Sequence, residues 1–170
     1  MKMGQLGKLL VNQKNPSTMV HAVRTSVAVV VCYLLARLCR LPEAYWAPIS
    51  TMVVMQSTLG ATVPVSVQRF AGTAVGAAVG AVLNTWFHIN IWVFGVAVLM
   101  IGMLCAVFRV ERTAYRYAGI TLAIVMLVPR SNSGWVIALH RFFEVSLGIA
   151  VGLLIAAVWP ERSATKRVRG

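Results

Sequence analysis

Apolar residues run along this chain in six long stretches, at 20–38, 44–59, 70–87, 89–108, 114–128 and 141–159, and Pro160 closes the last. Short polar or basic segments separate them. A helix that crosses a bilayer needs about 20 mostly apolar residues, with about 17 to 25 the usual range. The pattern therefore predicts six membrane helices, of which the second and fifth are the shortest. The polar stretch "NQKNPST" lies ahead of the first run. A cleaved signal peptide carries its apolar core closer to the start, so none is expected.

Charge sharpens this picture. Of 170 residues, 59% are hydrophobic and 12% charged, and the mean hydropathy is +0.78. Soluble domains carry about 25% charged residues. Lys and Arg number 16 against 4 acidic residues. Such an excess can mark a nucleic-acid binder. Here the cations sit in short clusters between apolar runs, which fits a membrane and leaves nucleic acid without support. Cytoplasmic loops are rich in Lys and Arg. With the N-terminus inside, twelve of the 16 fall on the cytoplasmic side, so both termini are expected there and the spans should be even in number. The organisation that follows is a basic cytoplasmic segment at 1–19, a six-helix membrane domain at 20–160 and a basic cytoplasmic tail at 161–170. Cys32, Cys39 and Cys105 lie in or beside apolar runs without metal-ligand spacing and read as reduced and structural. His21, His88 and His140 are scattered, so no metal site is expected.

In "SVQRFAGTAVGAAVGAVLNTWF", residues 66–87, Gly72, Gly76 and Gly80 recur every fourth residue. Inside a soluble helix each glycine costs about 1 kcal/mol relative to alanine. In lipid, small residues at this spacing let two helix backbones approach, so the stripe reads as a packing face. A shift of 72 residues lays Arg69 and Phe70 on Arg141 and Phe142, Gly76 and Gly80 on Gly148 and Gly152, and Tyr45 on Tyr117. Two halves, at about 20–88 and 89–160, are expected as a repeat. Each holds three spans, an odd number, so the second enters from the opposite face. Inverted repeats are a common plan of secondary transporters, whose sites lie near the midplane where helices are short or broken. The short second and fifth spans correspond under the shift, and Pro48 is expected to loosen the second.

The segment "YWAPISTMVVMQSTLGATVPVSVQRFAGTAVGAAVGAVL" resembles the fusaric-acid-resistance family of membrane proteins, related to aromatic acid exporters. Its pattern is carried here by Tyr45, Trp46 and Ala47, then Gln56, then Arg69, Gly72, Thr73 and Gly76. Upstream, "HAVRTSVA" is similar to the family's first helix through Arg24. Downstream, "HRFFEVSLGIAVG" is similar to its second-half Arg–Glu–Gly helix. The resemblance implies a proton-driven inner-membrane exporter of small aromatic carboxylates, or a relative with anion permeability.

Single residues then take candidate roles. Glu144 is the sole carboxylate within a predicted span. A carboxylate in a membrane often marks a proton path, which makes Glu144 the candidate proton carrier. Arg141, one turn earlier on the same face, offers a local ion pair instead. Arg24, Arg69 and Arg141 present a planar fork that suits carboxylates. Near helix ends they could equally snorkel to headgroups. Tyr45 and Trp46 read as stacking partners for an aromatic ring or as interfacial anchors. Pro48, Gln56 and Tyr117 complete the candidate substrate path. No nucleophile elbow, phosphate loop or carboxylate pair is present, so neither catalysis nor a cofactor is expected. The sequence thus predicts an all-α protein of six transmembrane helices in two inverted three-helix halves. It is expected to form homo-oligomers in the lipid bilayer and to move small organic anions outward. A passive anion channel and a non-transporting scaffold or accessory subunit of an efflux system are the alternatives.

Overall fold

A computed structural model describes residues 19–56, 58–88, 90–107, 111–128 and 133–160. Among these residues every regular element is a helix, in the order α1 Met19–Leu38, α2 Trp46–Val54, α3 Leu59–Trp86, α4 Ile91–Val107, α5 Arg112–Leu127 and α6 Gly134–Val158. Three of them, α1, α3 and α6, are long and apolar enough to cross a membrane. α4 is a shorter apolar helix of 17 residues. α2 has only nine, a rise of about 13 Å at 1.5 Å per residue, against a hydrocarbon core of about 30 Å.

Three starts differ from the hydropathy pattern. α3 begins at Leu59, well before residue 70, with Thr58 as its cap: the Thr58 hydroxyl accepts the Ala61 amide at 3.3 Å. Thr62 and Ser66, polar enough to suggest a loop, are buried within this helix. α6 begins at Gly134, so Arg141 lies two turns inside it. α2 begins at Trp46, which makes Pro48 its third residue. First-turn amides have no intrahelical acceptor, so the missing N–H costs nothing. Pro48 opens α2 rather than loosening it, contrary to expectation.

α1 ends in a Schellman turn. The Leu41 amide donates to Ala36 O at 3.1 Å and the Arg40 amide to Arg37 O at 3.0 Å. This geometry needs a left-handed residue just past the helix, and Arg40 supplies it with φ 53°. The turn carries the chain directly into Glu43 and α2.

Two long helices, α3 and α6, cross antiparallel at the centre. The Phe70 and Phe142 rings, which the 72-residue shift aligns, touch there with centroids 5.1 Å apart. α5 lies along α3, and α2 along α6. α1 covers α2 and α6; α4 covers α5 and α3. Exchanging α1, α2 and α3 for α4, α5 and α6 maps this set of neighbours onto itself. Glycines set the closest approaches. A methyl on Gly76 would strike the Ala118 carbonyl of α5, and one on Gly148 the Ala47 carbonyl of α2. Gly72 meets the Ala114 carbonyl in the same way. A Cβ on Gly80 would stand 3.0 Å from Val125, and one on Gly152 2.7 Å from Val54. The Gly148 contact lets the Thr51 hydroxyl donate to Gly148 O at 2.9 Å.

The exterior is apolar. Val30 and Leu34 of α1, Leu99 and Met103 of α4, and Phe143 and Leu154 of α6 all point outward. Apolar surface on this scale, around helices that satisfy their own backbones, is what a bilayer solvates.

Candidate functional site: three buried arginines along a short helix

α2 is touched at successive levels by an arginine from each of the three long helices. At its first residue, Trp46, stands Arg141 of α6. One turn on, at Ser50, stands Arg69 of α3. Past its C-terminus, at Gln56, stands Arg24 of α1. None snorkels: their residual exposures are 2%, 6% and 0% in that order. The helices that carry Arg69 and Arg141 begin earlier than hydropathy suggested, so both side chains lie inside the bundle. Glu144 is likewise fully buried.

Arg141 is neutralised by its own chain. It pairs with Glu144 at 3.1 Å, three residues on along α6, and with Glu43 from the turn ahead of α2. Its guanidinium carbon lies 4.4 Å from the Trp46 ring centroid, within cation–π range. The second Glu144 oxygen accepts the Glu43 amide at 3.2 Å. Trp46 Nε1 and the Tyr45 hydroxyl both donate to Glu43, at 2.9 and 3.0 Å. Burying charges costs several kcal/mol per ion unless partners and hydrogen bonds repay it. This cluster is built to repay it.

Arg24 is neutralised differently. It donates to the carbonyl oxygens of Trp159, at 2.9 Å, and of Gln56. These carbonyls end α6 and α2, where the helix dipoles are negative. His21 Nδ1 lies 3.3 Å from the same guanidinium. Arg24 and Gln56 thus meet as a clamp on two helix ends.

Arg69 has the poorest company. It donates to the Ser50 hydroxyl at 3.1 Å, and its guanidinium carbon lies 4.9 Å from the Tyr117 ring centroid. Its buried Nε has no hydrogen-bond partner, and neither has the buried Ser66 hydroxyl one turn back on α3. The three acids among the described residues are engaged elsewhere: Glu43 and Glu144 with Arg141, Glu111 with Gln68.

The two cation–π pairs correspond. Arg69 and Arg141 are 72 residues apart, and Tyr117 and Trp46 are 71 apart. Arg69 of α3 stacks on Tyr117 of α5, and Arg141 of α6 stacks on Trp46 of α2. Among the described residues no group of three His, Cys, Asp or Glu could hold a metal ion.

The family model for fusaric acid resistance protein-like proteins matches residues 28–155, which carry both of these pairs. The chain belongs to the fusaric acid resistance protein-like family. Its similarity extends to the inner membrane protein YeeA of Escherichia coli, 30% identical over 149 residues, covering 85% of this chain and 42% of that one. The inner membrane protein YccS of the same organism is 27% identical over 142 residues, covering 83% of this chain and 20% of YccS. The uncharacterized transporter YdhK of Escherichia coli is 30% identical over 154 residues, covering 84% and 23%. The chain therefore spans between a fifth and about two fifths of the length of these relatives. No solved structure matches it. With its apolar helices, this member of the fusaric acid resistance-like family is an inner-membrane protein.

The path residues singled out from sequence fall into three groups. Arg141, Glu144, Tyr45 and Trp46 come together; Arg69 and Tyr117 come together; Arg24 meets Gln56. Pro48 is buried in the first turn of α2 between the first two groups. Glu43, Ser50 and Ser66 were missed. Glu43 had a visible signal, an acid two residues ahead of the Tyr–Trp pair in a family otherwise read for arginines. Ser66 had a weaker one, a hydroxyl three residues before Arg69.

Proposed function

We propose that this chain forms a pathway that moves small organic anions, of the aromatic carboxylate kind, outward across the inner membrane. The observation that carries the reading is Arg69: a buried cation in the middle of a membrane bundle, with no carboxylate of its own. Burying an ion without compensation is expensive, and an anion passing through would supply the compensation. Family membership and the likeness to a named, uncharacterized transporter agree with it. We further propose that all six helices are embedded in the membrane as two inverted three-helix halves, with α2 and α5 as partial spans. The exchange-invariant packing, the Phe70–Phe142 contact and the paired Arg–aromatic stacks support this plan. Both ends of the described chain meet at one side, where Arg24 binds Trp159 O, in keeping with an even number of crossings. A homo-oligomer is part of the proposal.

Energy coupling is assigned to Glu144. Glu43, Arg141 and Glu144 form one cluster in which two carboxylates meet the same guanidinium and Glu144 is fully buried. A proton taken up or released there would shift charge within the bundle, with the Tyr45 hydroxyl, the Trp46 N–H and the Glu43 amide facing the same carboxylates. One observation favours the passive channel as a second reading: both oxygens of Glu144 are already engaged. Anion flux in proteoliposomes, with and without a pH gradient, separates the two. A proton-coupled exporter responds to the gradient, and Glu144→Gln abolishes the response while leaving exchange down the anion's own gradient. A response retained in Glu144→Gln removes Glu144 from the coupling.

A further inference from the structure

Arg69 and Arg141 occupy corresponding places in the two halves, yet one is saturated with carboxylates and the other has none. The position 72 residues before Glu144 is Gly72, so the first half lacks the acid that completes the second. We infer that the Arg69 locus is the binding site for a single carboxylate, and that the ligand is a monoanion. This deepens the transport reading and rests on it only for the ligand's direction of travel.

The chemistry follows from the atoms present. The unpartnered Nε of Arg69 and the unpartnered hydroxyl of Ser66 are both buried. They stand three residues apart on α3, hence on one face. The Ser50 hydroxyl approaches the guanidinium from α2 at 3.1 Å. A planar carboxylate matches the guanidinium edge through two parallel hydrogen bonds, and a serine hydroxyl donates a third. The ligand carboxylate would thus do for Arg69 what Glu144 does for Arg141. Arg24 also has an unpartnered Nε, but its other two nitrogens already meet carbonyls at two helix ends. Arg69 has only the Ser50 hydroxyl and the Tyr117 face. One uncompensated guanidinium balances one negative charge. A dicarboxylate would bring a second, unpaired charge into the same dry place, and a neutral analogue would balance none.

Binding to the purified full chain in detergent tests this, read as the ligand-dependent rise in melting temperature. The probes are benzoate, phthalate as a dianion, benzyl alcohol as a neutral analogue, and chloride at matched ionic strength. Benzoate is expected to stabilise saturably. Phthalate, benzyl alcohol and chloride are expected to need at least about tenfold higher concentration, the scale of one charged hydrogen bond. Arg69→Gln should abolish the benzoate response. Ser66→Ala guards against a variant that does not fold, since it deletes a buried hydroxyl without a partner and should leave the ligand-free melting temperature unchanged or higher. It is expected to weaken benzoate by about tenfold. Equal binding of phthalate and benzoate, a benzoate response unchanged in both Ser66→Ala and Arg69→Gln, or no response of the wild-type chain overturns the inference. Binding without flux would remove the transport reading and keep the site. Flux indifferent to Arg69 would keep transport and remove the site.

Discussion

Replacing Gly76 by alanine adds one methyl at the closest contact of α3 with α5. That methyl points at the Ala118 carbonyl, with the carbonyl carbon and Cα of Ala118 each 3.0 Å from it. All three are backbone atoms, so no rotamer can relieve the clash and the two helices must part. Overpacking of this kind costs about 1–3 kcal/mol. Better helix propensity returns about 1 kcal/mol, so the net loss is up to about 2 kcal/mol. Gly119 on α5 is the control, because nothing lies within 4 Å of a Cβ there. Gly119→Ala keeps the propensity gain and pays no clash. In a chain of this size 1 kcal/mol shifts the melting temperature by about 2–4 °C. Thermal unfolding in detergent, followed by tryptophan fluorescence, should therefore show Gly76→Ala lowered by up to about 8 °C and Gly119→Ala unchanged or raised. Equal shifts for the two variants would refute the idea that glycine sets the helix spacing.

Other substitutions probe other joints. Arg40→Gly places at the left-handed position the residue that adopts it without strain, which costs other residues about 1–2 kcal/mol; its melting temperature should rise by a few degrees. Arg24→Gln leaves the carbonyls ending α2 and α6 without their charged donor and should cost about 1–3 kcal/mol, seen as earlier thermal unfolding and as faster proteolysis after Trp159. Trp46→Leu keeps apolar bulk but removes both the face under Arg141 and the N–H to Glu43. It should destabilise more than Trp92→Leu, since Trp92 is 80% exposed.

Much of this fold was legible because lipid rewards composition directly. The boundaries of α1 and α4 fall within two residues of the apolar runs, since these helices present apolar side chains almost all round. α3 and α6 were cut short at Arg69 and Arg141 because a hydropathy window treats arginine as an end. Here both arginines lie inside the bundle, Arg69 against the Ser50 hydroxyl of α2 and the Tyr117 ring of α5, and Arg141 against the Trp46 ring and two carboxylates. Thr62, Ser66 and Pro64 carried the same false signal of a loop. Glu43 escaped because turns are read as solvent. The Schellman turn at Arg40 folds this one back against α6, where its carboxylate reaches Arg141. The 72-residue match was visible in Arg, Phe, Gly and one Tyr pair, and its Arg, Phe and Gly positions are where α3 and α6 meet each other or the shorter helices beside them. Elsewhere any apolar residue serves against lipid, and the likeness fades.

The central claim is that an anion crosses through the locus of Arg69. Uptake of radiolabelled 4-hydroxybenzoate into proteoliposomes holding the purified chain tests it most directly, with protein-free liposomes as the leak control. The account predicts saturable uptake above the leak for the wild-type chain and for Arg24→Lys, and uptake at the leak level for Arg69→Gln. Wild-type uptake no faster than protein-free liposomes, or full uptake by a folded Arg69→Gln, would contradict it.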